Sequence, residues 1–219
     1  MKTINLKGNI TGFLIIFFWV IVSSCVSMSS MQTARTTPKD DYGFGFGAGT
    51  VNSDLGLGVD TVHISFPFME AYGRYGITDK LDIGMKFTFI GTIAADVKYQ
   101  VIGDRNTVFA GSVGGGFGFM SIFSGDSKSK IFDLILPAYF SIHPAKVFSL
   151  YFNPKYIYRI NNYTVNSDKG ISNSSWYGTT GGIRFGKKTA LFLEYSFFKN
   201  SDISKPFSQV TCGIAMGIL

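Results

Sequence analysis

His63-Ile64-Ser65 holds the pair of side chains best suited to bond-breaking chemistry. On a strand, a spacing of two turns both side chains to one face. There an imidazole can take the proton of a hydroxyl and ready it for attack on a lipid ester. Such a pair needs a third group to orient the imidazole. Glu70 is seven residues on from His63, and its even number puts it on the opposite face of a regular strand. The expected role of His63 and Ser65 is that of ordinary rim residues, with lipid hydrolysis an alternative reading. His143 falls in an expected short turn beside Pro144, without a partner. Two histidines and two cysteines in the whole chain suggest no metal-binding set, and no cofactor is expected. Gly43, Gly45, Gly47 and Gly49 do not make a phosphate loop, because no helix pattern follows them.

A larger group of titratable residues shares another property. Glu70, Asp82, Asp96, Asp133 and Glu194, with Arg74, Lys86, Lys98, Lys155, Arg159 and Arg184, all fall on the polar face of an alternating segment. If that face is enclosed, these acids and bases are expected to pair, since an unpaired charge in a confined space is costly. The expected result is a charged network that fills an interior. A narrow polar path for small solutes is the alternative.

The elements that position these charges are strands. Leu81, Ile83, Met85, Phe87 and Phe89 alternate with Asp82, Gly84, Lys86 and Thr88. The same parity returns in Ile93, Ala95, Val97, Tyr99 and Val101, a period of two that makes one greasy and one polar face. A three-residue loop at 90–92 would set Phe89 opposite Ile93 and Lys86 opposite Asp96. A turn at 78–80 would set Ile77 opposite Leu81 and Tyr72 opposite Lys86. Lys86 would then reach Asp96 and Glu70, and Asp82 would reach Arg74 and Lys98.

Alternation continues at 42–49, 63–77, 107–123, 130–142, 147–160, 175–185, 190–199 and 207–219, making ten strands with the two above. The bare glycine face of the first leaves room for bulky neighbours. Connections are short at 78–80, 103–106, 143–146 and 186–188. They are longer and polar at 52–60, 124–128, 161–173 and 201–206, with 90–92 the exception. Short turns on one rim, long loops on the other and an even strand number describe a closed barrel with its apolar face on acyl chains. The fold class is therefore all-β, a single antiparallel up-and-down transmembrane β-barrel over 42–219. The 33 phenylalanines and tyrosines, many near strand ends, suit the two bilayer interfaces. A soluble lipocalin-like barrel, burying the apolar face around an apolar ligand, is the alternative fold.

Before the barrel, Lys2 and Lys7 precede an apolar run at 10–22 that is too short to span a membrane. It ends in Val22-Ser23-Ser24-Cys25, which resembles the lipobox of bacterial lipoprotein signals. The resemblance implies cleavage of 1–24, acylation of Cys25 with palmitate or a similar chain, and a flexible tether over 25–41. Cys212 is then the other cysteine, and no disulfide is expected. Loss of Lys2 and Lys7 leaves 18 basic against 14 acidic residues, a net charge of +4, so nucleic acid is not an expected partner. Signal, lipobox, tether and the hairpin RYGITDKLDIGMKF together resemble the small outer-membrane β-barrel proteins of diderm bacteria, lipoprotein branch. That resemblance implies a lipid-anchored monomer in the outer membrane. Its surroundings would be outer-membrane lipid, and its role non-enzymatic, in envelope structure or in surface contacts through 52–60, 124–128, 161–173 and 201–206.

Overall fold

Ten strands close on themselves in chain order. They are β1 (Tyr42–Leu57), β2 (Asp60–Thr78), β3 (Leu81–Thr88), β4 (Ile93–Ile102), β5 (Phe109–Ser124), β6 (Ser127–Ala145), β7 (Phe148–Val165), β8 (Asp168–Gly186), β9 (Thr189–Asn200) and β10 (Phe207–Gly217). Each pairs antiparallel with its sequence neighbours, and β1 pairs with β10 to complete an up-and-down barrel. This computed structural model describes residues 28–57, 60–89, 91–124, 127–165, 168–200 and 206–217. The expected signal over 1–24 and the expected lipidation site Cys25 lie outside them. Closure leaves no unpaired edge, which is the condition for sheet to survive in hydrocarbon.

The alternation decides which way each residue faces. On β9 every second residue is buried from Ala190 to Asn200. The buried positions face the lumen, and the apolar residues between them face outward. Met85 is 63% exposed, Phe117 66% and Phe152 51%, and the outward set continues around the wall through Phe46, Leu134, Leu193 and Val210. An apolar girdle of this extent has no place in water and is the lipid-facing band of a transmembrane barrel. The soluble lipocalin-like alternative, which needs the apolar face inside, is overturned.

Three local expectations change. The β3–β4 loop is 89–91 rather than 90–92. Thr88 and Thr92 face each other, with Thr88 N donating to Thr92 O at 2.9 Å and Phe89 N turning away to Met69 O on β2. Gly91 takes φ +94° as the last loop residue, the left-handed position that three-residue hairpins give to glycine. Lys86 therefore lies opposite Ala94, and Asp96 opposite Gly84. The pairing slips by two, so every side chain keeps its face. At the β2–β3 turn Tyr72 does face Lys86, but a bulge before Thr78 makes Thr78, not Ile77, the partner of Leu81.

The second change is at the long-loop rim. Most of 52–60 and 161–173 and the ends of 124–128, expected as loops, are strand. β1 and β2 remain paired to Leu57 and Asp60, β5 and β6 to Ser124 and Ser127, and β7 and β8 to Val165 and Asp168. Polar residues there still pair as backbone, because a hairpin rising out of the bilayer needs no greasy face. Residues 201–205 lie outside the described set. The wall is thus tall along β1–β2 and β5–β8 and low at β3–β4, where β3 has 8 residues.

The third change concerns the expected tether. Residues 28–38 do not hang free: all but Arg35 are buried, and they run inside the barrel before Asp41 leads into β1 at the short-turn rim. The segment has no periodicity because its neighbours surround it on all sides.

Outward and inward positions are separable by experiment. With Met85→Cys, Lys86→Cys and Phe87→Cys made singly in a Cys25→Ser, Cys212→Ala background and refolded into liposomes, a lipid-tail quencher is expected to quench a fluorophore at 85 and 87 but not at 86. Equal quenching at all three would contradict the face assignment.

Candidate functional site

The eleven charges singled out in the sequence all turn into the lumen, where nine are buried and Lys86 and Asp96 partly so. They form islands rather than one network. In the first, Asp82 is paired with Arg74 at 2.5 Å and with Lys98 at 3.5 Å, and Arg74 reaches Asp96 at 2.7 Å. Arg74, Gly84 and Asp96 stand in one row across β2, β3 and β4. The ion pair spans a strand because Gly84 has no side chain; a Cβ there would lie 2.9 Å from Arg74 Cζ. Lys86 pairs with Glu70 at 3.6 Å, as expected, but not with Asp96, which the two-residue slip moved to Arg74. Asp133 and Arg159 are cross-strand partners at 2.9 Å, with the guanidinium over the Trp176 ring.

Glu194, Lys155 and Arg184 serve other purposes. Arg184 donates to the Gly186 and Lys187 carbonyls at its own turn. Glu194 and Lys155 hold the N-terminal segment. Glu194 accepts from Ser30 N at 3.0 Å, from Met31 N and from Tyr151 Oη at 2.8 Å. Lys155 donates to the Met28 and Ser29 carbonyls at 3.1 and 3.3 Å.

The same treatment extends along 28–37. The Met28 carbonyl also accepts from Thr180, that of Ser29 from Lys86, that of Gln32 from Asn153, those of Thr33 and Arg35 from Lys98, and that of Ala34 from Ser112. Ala34 N donates to Ser141 Oγ, Thr36 N to Gln100 and Thr37 N to Asp82. Side chains from β3 through β9 thus bond five N–H groups and six carbonyls of an extended segment that belongs to no sheet. Each such bond matters, since a buried backbone group without a partner costs about as much as a lost hydrogen bond.

Shape complements these bonds. Gly47 faces Gly213 across the β1–β10 seam, making a notch that Met31 fills; a Cβ on Gly47 would fall 2.7 Å from Met31 Sδ. Gly45 likewise leaves room for the Tyr72 ring. Toward the long-hairpin rim Met28 packs with Val51, Phe68, Ile157, Trp176, Phe198 and Phe207, an apolar layer in the lumen, and Met31 packs in a second one with Tyr72, Tyr151 and Phe192.

The two histidines fare differently. His143 is not a partnerless turn residue. β6 runs past it to Ala145 through a bulge, and its buried ring bonds Ser141 Oγ at 2.8 Å and Ser149 Oγ at 2.7 Å. Ser141-Ile142-His143 has the same spacing of two as the other pair, a signal that was present in the sequence. Ser141 also accepts from Ala34 N, so His143 braces the segment from behind. His63 stands opposite Asp54 and Ser65 opposite Asn52 in the β1–β2 hairpin. Ser65 is exposed, while the His63 side chain lies outside the described residues. The uncharged residues Gln100, Ser112, Asn153 and Thr180 were on the expected polar face but carried nothing to mark them before the segment was seen inside.

No protein-family model matches the sequence, and no curated protein matches it. Among solved structures, the outer membrane protease OmpT from Escherichia coli is similar at a TM-score of 0.52 and 10% identity, over 88% of this chain and 100% of that one. Ail, the attachment invasion locus protein of Yersinia pestis, aligns at a TM-score of 0.40 and 9% identity, over 82% of this chain and 99% of that one. The COG4313 outer membrane channel from Pseudomonas putida F1 aligns at 0.47 and 8% identity, over 87% and 100%. The first likeness is one of fold, and the chain has the architecture of an outer-membrane β-barrel.

Glu194→Ala leaves two segment N–H groups and the Tyr151 hydroxyl without their acceptor. It is expected to lower unfolding stability by about 2–4 kcal/mol, at the cost of buried groups that lose a charged partner. Urea unfolding from liposomes would read this as a lower midpoint. Lys188→Ala, on an exposed turn, should stay within about 0.5 kcal/mol.

Proposed function

We propose that this chain is a monomeric, non-enzymatic β-barrel lipoprotein of the bacterial outer membrane. Its lumen is stoppered by its own residues 28–38, and it serves envelope structure and surface contact rather than passage of solutes. The observation that carries the reading is the treatment of that segment: lumen side chains from seven strands hold its backbone, which is the construction of a permanent filling. The surface-contact role falls to the hairpins that rise above the girdle at 52–60, 124–128 and 161–173, together with 201–206.

Lipidation at Cys25 belongs to the same proposal.

Two measurements test the proposal. In planar bilayers the intact protein is expected to be silent, while a variant lacking 28–37 conducts in discrete steps. Steady conductance by the intact protein would favour the narrow-pore reading. Cells fed labelled palmitate are expected to label the protein, and Cys25→Ser should abolish the label; an unlabelled parent protein would remove the lipid anchor from the account.

A further inference from the structure

Among the described residues, the outer face carries a cluster of lysines that neither the lumen nor its stopper uses. Lys128 and Lys130 on β6 and Lys169 on β8, all exposed, line a groove of about 550 Å³ whose floor includes Asn162, Thr164 and Ile171. Register fixes the arrangement: Lys128 pairs with Thr164 and Thr164 with Lys169, while Lys130 pairs with Asn162 and Asn162 with Ile171. Even positions on β6 and odd positions on β8 are those of the outward residues Phe132, Leu134, Tyr177 and Ile183, so the groove opens on the outside of the wall. Asp168, next to Lys169, has the opposite parity.

Its height gives it meaning. Lys130 comes two residues beyond Phe132, and Asn162 two beyond Ile160, the last members of the apolar girdle on their strands. The groove therefore sits where acyl chains end and headgroups begin. Lys128 and Lys169 are two strands apart, about 10 Å, and Lys130 is about 7 Å along β6. Flexible four-carbon stems can bring all three ammoniums onto one phosphorylated headgroup. Ile171, 71% exposed at the groove, and the girdle below supply the apolar half.

We infer that this groove binds the net-anionic phosphorylated headgroup of a membrane lipid, holding its phosphate on Lys128, Lys130 and Lys169 while its acyl chains lie on the girdle beneath; a zwitterionic headgroup such as phosphocholine, whose phosphate is balanced by its own cation, gains little there. The inference rests on the membrane-barrel reading of the proposed function. Lysines near a charged membrane surface each contribute on the order of a fivefold gain in binding, so three amount to a clear preference.

Native mass spectrometry of the full chain released from detergent tests this, with diphosphorylated lipid A and phosphatidylcholine as probes. The intact protein is expected to retain lipid A at least tenfold more tightly than phosphatidylcholine. The triple variant K128Q/K130Q/K169Q should lose that preference, and the short-turn triple K80Q/K187Q/K188Q should keep it. Undiminished preference in the groove variant would overturn the inference. So would displacement of lipid A by millimolar inorganic phosphate, which would make the groove a site for free phosphate. All proteins are first checked for insertion into liposomes by protease protection. Failure of the unaltered protein to insert contradicts the membrane reading itself, whereas an inserted unaltered barrel without preference contradicts only the groove.

Discussion

Enclosure is the constraint on which this structure depends. A ten-stranded barrel encloses slightly more than its own inward side chains can fill, and the lumen is partly walled off from water. Each polar atom inside needs a partner there. Ion pairs such as Arg74 with Asp82 and Asp133 with Arg159 meet the need locally. The remaining width is occupied by chain, and chain brings two polar groups per residue. The lumen answers with side chains placed to receive them, Glu194 for two N–H groups and Lys98 for two carbonyls.

The same enclosure explains the glycines. They stand where something large must approach the wall: Gly84 under the Arg74–Asp96 pair, Gly45 beside Tyr72, and Gly47 with Gly213 around Met31. The stopper has little apolar surface of its own apart from Met28 and Met31, and both are packed. Its specificity lies in hydrogen-bond positions and in these notches more than in burial of grease.

The barrel was legible because a strand with two environments writes a period of two into the chain, as Leu81 to Phe89 does, and because short turns carry their own residues. The slip at 89–91 was not legible from alternation: a one-residue displacement of the loop leaves every parity unchanged, and the registers are told apart by the φ of Gly91 and by the bonds from Thr88 N to Thr92 O and from Phe89 N to Met69 O. The tall hairpins look like loops in the sequence because above the bilayer neither face has to be apolar. Val26 to Asp41 looked like a tether for a deeper reason. A segment recognised through its backbone by side chains far away in sequence has no pattern of its own, and Glu194, its main acceptor, lies more than 160 positions on. The charges were identified, but half of what they do concerns a partner that the pattern could not show.

Amide hydrogen exchange of the folded protein tests the central claim most directly. If lumen side chains hold the segment, the amides of Ser30, Met31, Ala34, Thr36 and Thr37 will exchange slowly, within the range of the β-strand amides. Exchange of these five at the rate of an unstructured peptide, beside protected strands, would mean that the segment does not occupy the lumen, and the account of a lumen filled by its own N-terminal segment would fall.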